Sequence, residues 1–94
     1  MNELAMAFEQ WLFEEGRSEK TIESYVGDVK GFQLYLNEKA ANEQQPLSHF
    51  SFARYKQHLL DSYFVISTIN KKVNSLKLYN DFLQRKDLVD ESYI

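Results

Sequence analysis

The stretch SEKTIESYVGDVKGFQLYL, residues Ser18–Leu36, decides the fold class, because its apolar residues recur with the period of an α-helix. They are spaced by three, one, three, three and four positions: Ile22, Tyr25, Val26, Val29, Phe32 and Leu36. Ser18 is a favourable N-cap, and Glu19 places a negative charge at the positive end of the helix dipole. The spacing predicts a helix over residues 19–38 with one broad face against a core.

The residues before Ser18 predict a shorter first helix over residues 3–15. Its apolar residues fall on one face: Leu4, Phe8, Trp11 and Leu12. Gly16 follows this face, and glycine readily takes the left-handed conformation that ends many helices. A helical hairpin is therefore expected at the start of the chain.

Two more helices are predicted after a polar loop that runs from Glu38 to Ser48. Ser51 as N-cap gives a third helix over residues 52–62, and Ser67 as N-cap gives a fourth over residues 68–86. The expected inward residues of the third helix are Phe52, Tyr55 and Leu59, with Tyr63 as a further candidate. Those of the fourth helix are Ile69, Val73, Leu76, Tyr79 or Asn80, and Leu83. Residues 63–69 have strand composition, but no second strand-like run exists to pair with them, so we interpret them as an apolar linker. The prediction is all-α, a single four-helix bundle.

Length and composition narrow the class of protein. Ninety-four residues suit one domain over residues 1–94, and the absence of cysteine excludes a disulfide scaffold and a thiolate metal site. No apolar run reaches the ~18 residues of a membrane span, and the N-terminus has no signal-peptide pattern. The expected location is the cytoplasm.

The net charge of −3 argues, as an average, against a protein that binds polyanions. The charges are unevenly distributed, however. Residues 1–15 contain four glutamates and no basic residue, whereas residues 67–86 contain five basic residues against Asp81 alone. The four glutamates are Glu3, Glu9, Glu14 and Glu15. The first helix should therefore lie away from any nucleic acid, where it would be free to contact a neighbouring protomer.

No catalytic constellation is visible in the sequence. His49 and His58 lack the spacing of metal ligands, and there is no glycine-rich phosphate loop or nucleophile elbow. Tyr25, Tyr55 and Tyr79 fall on apolar faces and are expected in the core. We expect no catalytic residue, no metal and no cofactor, so that the chain is not an enzyme by itself.

The starts of the second and fourth helices carry residue types that bind phosphate. Free N–H groups and the helix dipole attract anions there, and hydroxyls, Lys and Arg add contacts. Asn suits adenine, and Lys suits guanine or phosphate, so Lys71 and Lys77 should each add about one unit to the salt dependence of DNA binding. Ordinary N-caps and a solvated helix face explain the same residues, and this alternative stays open. The candidate DNA-binding residues are Arg17, Ser18, Lys20, Thr21, Ser24, Ser67, Asn70, Lys71, Asn74 and Lys77.

Two patterns resemble the N-terminal SAM-like core-binding domain of tyrosine recombinases, the phage-type integrases. The first is Phe8-x-x-Trp11-Leu12 followed by Ser18-x-x-Thr21-x-x-x-Tyr25-x-x-Asp28-Val29-x-x-Phe32-x-x-Tyr35-Leu36. The second is Ser67-Thr68-Ile69-Asn70-x-x-Val73-x-Ser75-Leu76-x-x-Tyr79-x-x-Phe82-Leu83, which resembles the last major helix of that domain. The resemblance covers residues 3–88, which is essentially the whole chain.

The resemblance implies a function in DNA integration and recombination. It implies a bundle that closes one side of a clamp around double-stranded DNA at the core site, with the second and fourth helices facing the duplex. The same candidate residues then face DNA, and other recombinase protomers are further partners. Strand cleavage in this family belongs to a separate C-terminal domain, so the chain is expected to be a fragment of a larger recombinase.

A protein-interaction module is the alternative to DNA binding. It would use a stripe of small residues that includes Gly27 and Gly31, together with Phe13 and Tyr35 as surface aromatics. Mid-helix glycines cost roughly 1 kcal/mol each relative to alanine, so such a stripe suggests a close approach by another group. Self-association would favour this alternative.

Overall fold

Four α-helices make up most of the described part of the chain, which is residues 3–39, 46–62, 65–90 and residue 92 of a computed structural model. They are α1 (Glu3–Glu14), α2 (Glu19–Lys39), α3 (His49–Asp61) and α4 (Ile66–Arg85). No strand occurs in these residues, which confirms the all-α prediction. None of the four helices combines the length and apolar content needed to cross a membrane.

Helices α2 and α4 form the centre of the bundle, since each packs against all three of the other helices. An aromatic cluster fills the space where α1 meets α4. The ring of Phe8 lies 5.4 Å from those of both Tyr79 and Phe82, and the Trp11 ring lies 5.5 Å from Phe82. Dense aromatic packing of this kind holds α1 and α4 at fixed positions, so side chains on α4 are presented with defined geometry.

The predicted apolar faces are the buried faces. Fully or almost fully buried are Phe8, Leu12, Ile22, Val26, Val29, Phe32, Tyr55, Leu59, Ile69, Leu76, Tyr79 and Leu83. The sequence left either Tyr79 or Asn80 as an inward residue of the fourth helix, and both are buried. Leu47 and Val89, which lie outside the helices, also enter the core. Tyr63 lies outside the described residues.

The turn between α1 and α2 confirms both predicted end signals. Gly16 has a φ of 83°, and its N–H donates to the carbonyl of Phe13 at 3.0 Å, while the N–H of Arg17 donates to the carbonyl of Leu12 at 3.3 Å. This is a Schellman motif. The N–H of Thr21 donates to the hydroxyl of Ser18 at 3.3 Å, so Ser18 caps α2.

The predicted starts of α3 and α4 were wrong by two or three residues. Helix α3 begins at His49, its N-cap is Ser48, and Ser51 is the buried third residue of a reciprocal capping box. The reason is that buried Leu47 draws the preceding chain into the core, so Ser48 rather than Ser51 stands at the helix entrance. Helix α4 begins at Ile66 after Val65, which makes no side-chain cap.

Ser67 therefore lies inside the first turn of α4 and is not its N-cap. The strand-like composition of residues 66–69 is overridden because the helical frame buries Ile69 against the core. The other end of α4 is a second Schellman motif. Asp87 has a φ of 59°, its N–H donates to Gln84, and the N–H of Leu88 donates to Leu83 at 2.9 Å.

Candidate nucleic-acid interface

A groove of about 490 Å³ lies between α2 and the first half of α4. Seven residues line this α2–α4 groove: Thr21, Ser24, Tyr25, Ser67, Asn70, Lys71 and Asn74. Six of them belong to the ten candidates predicted from the sequence. The structure thus brings residues from two distant segments of the chain to one surface.

Helical periodicity explains how the two segments meet. On α2 the groove takes Thr21, Ser24 and Tyr25, and on α4 it takes Ser67, Asn70, Lys71 and Asn74. Positions three, four and seven apart lie on one face of a helix. Each helix therefore contributes a single polar face, and none of the described residues in this lining is acidic.

Lys71 connects the groove to a buried carboxylate. Its ammonium donates to Asp28 Oδ2 at 2.5 Å, and the hydroxyl of Ser75 donates to the same oxygen at 2.6 Å. Lys72 approaches the other oxygen, Oδ1, at 3.5 Å. Asp28 lies on α2 one turn beyond Ser24 and is only 9% exposed, while the side chain of Lys71 is 50% exposed. One carboxylate thus fastens α2 to α4.

The carboxylate of Asp28 is ionised at neutral pH. Burial on its own raises the pKa of Asp28, but the hydrogen bonds from Lys71 and Ser75 and the charges of Lys71 and Lys72 outweigh it, so the pKa is lowered. Burial, with a smaller contribution from the charge of Asp28, raises the pKa of Tyr55 to about 12. The phenol of Tyr55 therefore stays protonated beside this charge.

Four of the ten candidates do not line the groove. Ser18 is occupied locally, because its hydroxyl donates to that of Thr21 at 2.9 Å. The guanidinium of Arg17 lies over the ring of Tyr25, 5.7 Å from its centroid, and its buried Nε has no partner among the described residues. Lys20 and Lys77 are exposed, and neither forms an ion pair within the described ranges.

A second groove, of about 990 Å³, separates α1 from another face of α2. The acidic residues Glu9, Glu19 and Glu23 line this α1–α2 groove, together with the basic residues Arg17 and Lys30. Met6 and Phe13 also line it and are each 67% exposed. Helix α2 consequently presents hydroxyl groups to one groove, and two carboxylates with the ammonium of Lys30 to the other.

The predictions for the aromatic residues of α2 and for its two glycines are only partly confirmed. Tyr35 is not a surface aromatic, because it is half-buried and its ring lies 5.3 Å from that of Tyr55 and 4.8 Å from that of His58. Tyr25 is partly buried, and it packs against the core while also lining the groove. The group that approaches Gly31 is the hydroxyl of Tyr55, 3.6 Å from where a Cβ would stand, whereas Gly27 faces open space.

The sequence reasoning missed the pairing of Asp28 with Lys71. A signal for it was present, because Asp28 lies at the edge of the apolar face of α2, one helical turn before Phe32. A charged residue in such a position needs a buried partner, since an unpaired charge in a core is costly. Nothing in the local pattern identifies that partner.

The comparisons with known proteins agree on one kind of protein. The sequence model of a family described as "Phage integrase, N-terminal SAM-like domain" matches residues 6–87. Tyrosine recombinase XerC of Pediococcus pentosaceus is 33% identical over 92 residues, which are 96% of this chain and 31% of that protein. Tyrosine recombinase XerC of Listeria innocua is 30% identical over 79 residues, covering 84% of this chain and 26% of the relative. The chain thus spans less than a third of the length of these relatives, and no solved structure gives a significant match.

Proposed function

Because the chain belongs to the phage integrase N-terminal SAM-like domain family, we propose that it is the DNA-binding domain of a site-specific tyrosine recombinase. In this proposal it holds double-stranded DNA at the recombination core site and orients a separate catalytic domain, which makes and breaks the bonds. Its partners are duplex DNA and the other protomers of the assembled recombinase. The relatives described as tyrosine recombinases support this assignment.

The α2–α4 groove is the observation that carries the proposal. It combines hydroxyls, two carboxamides and an ammonium, and its described lining holds no carboxylate, although the chain carries a net charge of −3. Hydroxyl and ammonium groups donate hydrogen bonds to phosphate oxygens, while Asn side chains pair with the edge of adenine. The residues of the groove therefore favour DNA binding, although the net charge of the whole chain does not.

The ten candidates divide into two sets in this proposal. Those around the start of α2 and the first turn of α4 contact phosphates: Arg17, Ser18, Lys20, Thr21, Ser24 and Ser67. Those along the exposed face of α4 contact base edges or phosphates: Asn70, Lys71, Asn74 and Lys77. Lys77 follows Asn70 by two helical turns, so it extends the same face beyond the groove.

A residue-by-residue DNA titration tests the proposal. Amide chemical shifts of the ¹⁵N-labelled chain would be followed as a duplex is added at two salt concentrations. We expect changes concentrated in residues 17–25 and 66–77, weak affinity of about 10⁻⁶ M or weaker, and a marked loss of binding at the higher salt. Changes confined to other surfaces, or none at all, would refute this function.

Self-association is a second candidate function, favoured by the exposed side chains of Met6 and Phe13 in the α1–α2 groove. Neighbouring exposed apolar side chains often mark protein contacts. Sedimentation over a tenfold range of concentration distinguishes the two functions. A rise in mass that Phe13→Ser abolishes, together with a silent DNA titration, would favour the second.

A further inference from the structure

Building on the proposed DNA-binding function, we propose that Asp28 is a positioning residue whose buried carboxylate fixes Lys71 beside the α2–α4 groove and offsets much of its attraction for phosphate. The groove then holds DNA mainly through hydrogen bonds from hydroxyls and carboxamides. This assigns a role in DNA binding to a residue that need not touch DNA.

The geometry of the pair is the first support. Asp28 Oδ2 accepts from both Lys71 and Ser75, and Ser75 is fully buried. With Lys72 at Oδ1, three donors of α4 therefore hold the carboxylate. A long lysine side chain loses most of its freedom under these conditions, so its ammonium has one preferred position at the edge of the groove.

The charges are the second support. Lys71, Lys72 and Asp28 together carry one positive charge, because the two lysines share one carboxylate. A phosphate that contacts the ammonium of Lys71 at about 2.8 Å comes within about 6 Å of the Asp28 carboxylate, and the repulsion between the two anions offsets much of the attraction. Lys71 thus differs from Lys77, which is exposed and makes no ion pair in the described part of the chain.

The salt dependence of DNA binding measures this difference. Each phosphate neutralised by a lysine contributes about 0.9 to the slope of log K against log salt concentration. An ammonium that is already paired with a carboxylate neutralises less of the charge of a phosphate. Fewer counterions therefore leave the DNA when it binds. The structure therefore changes the expectation for Lys71, whose removal should alter the slope by much less than one unit.

A double-variant experiment tests the role of Asp28. Binding of the 94-residue chain to a fluorescein-labelled duplex of mixed sequence would be followed by anisotropy between about 50 and about 200 mM KCl. Lys71→Gln is expected to lower the magnitude of the slope by less than about 0.4 in the unaltered chain and by about 0.9 in the Asp28→Asn background. Asp28→Asn alone should tighten binding on the order of fivefold at the lower salt. An equal effect of Lys71→Gln in both backgrounds overturns the proposal.

Glu3→Gln is the matched control, because it removes the same charge from an exposed residue at the end of α1 remote from the α1–α2 turn. It should leave the slope within about 0.2 of the unaltered value, and a change equal to that of Asp28→Asn would attribute the effect to net charge and contradict the proposal. If Asp28→Asn does not fold, Lys71→Gln is compared with Lys77→Gln in the unaltered chain. A change in slope for Lys71→Gln that is at most half the change for Lys77→Gln supports the role of Asp28. A change larger than half refutes it. Absence of salt-dependent binding by the unaltered chain would instead refute the DNA-binding function itself.

Discussion

The ammonium of Lys71 on α4 lies 2.5 Å from the carboxylate of Asp28 on α2, and the two residues are 43 positions apart in the chain. The pair joins the two helices that line the candidate DNA site. Its strength consequently affects both the stability of the bundle and the charge that the groove presents.

Acid should weaken this pair in a predictable range. The pKa of Asp28 is below its ordinary value of 3.8, so the stability that its ionisation provides is complete well above pH 4 and is lost as the pH falls through and below that value. Urea unfolding at pH 7 and pH 3 should show a smaller pH effect in Asp28→Asn than in the unaltered chain. The exposed residue Asp90 offers a control, since Asp90→Asn should retain the full effect. Parallel pH profiles for the Asp28 variant and the unaltered chain would contradict the prediction.

Ser75→Ala should destabilise the protein by about 1.5–3 kcal/mol, because it removes a hydrogen bond to a buried charge. The hydroxyl of Ser75 is 2.6 Å from Asp28 Oδ2 and is fully buried. Ser67→Ala changes the same residue type at an exposed position of α4 and should cost less than about 0.5 kcal/mol. Urea unfolding at pH 7 measures both, and equal losses would show that the Ser75 bond contributes nothing special.

Ser48→Ala should cost about 1 kcal/mol of stability through loss of the α3 cap. The N–H of Ser51 donates to the hydroxyl of Ser48 at 3.1 Å, and the N–H of Ser48 donates to the hydroxyl of Ser51 at 2.9 Å. Ser51→Ala should therefore have a similar cost, and thermal unfolding checks both. If Ser48→Ala left the stability unchanged and Ser67→Ala lowered it, the result would favour the helix starts predicted from the sequence.

Asp87→Gly should stabilise the protein by about 1 kcal/mol, because glycine takes the left-handed conformation without the penalty that a side chain incurs. Asp87 has a φ of 59° and stands just beyond the negative end of the α4 dipole. Asp87→Asn separates the two causes, since it removes the charge and keeps a side chain. A fall in the midpoint of thermal unfolding for Asp87→Gly would be inconsistent with this turn.

Asn70→Ala should weaken duplex binding by about threefold to tenfold while leaving the free energy of unfolding within about 0.5 kcal/mol. Asn70 is exposed and lines the α2–α4 groove. Asn37→Ala, at an exposed position near the other end of α2, is the control and should bind normally. Anisotropy titrations at one salt concentration compare the three chains. Equal binding by all three would remove Asn70 from the interface.

Features that repeat with the helical period could be predicted from the sequence. A helix start could not be predicted where two nearby residues were equally good N-caps. The apolar spacing around Phe32 predicted the buried face of α2, and the residue types at Thr21 and Asn70 predicted one polar surface. Ser48 and Ser51 are both good caps, and only the burial of Leu47 selects between them. The partner of Asp28 was beyond sequence reasoning, because tertiary packing alone brings two distant helical positions together.

The two polar faces of α2 make the rotational setting of this helix important. Each residue turns an α-helix by about 100°, so Thr21 and Glu23, two residues apart, lie about 160° apart around the axis of α2. A rotation of that size would turn the side that holds Thr21 away and bring the side of Glu23 toward α4. The contact of Asp28 with α4 opposes such a rotation, since it admits one angular position of α2. Whether this surface attracts or repels a polyanion thus depends on the angle at which a single helix is locked.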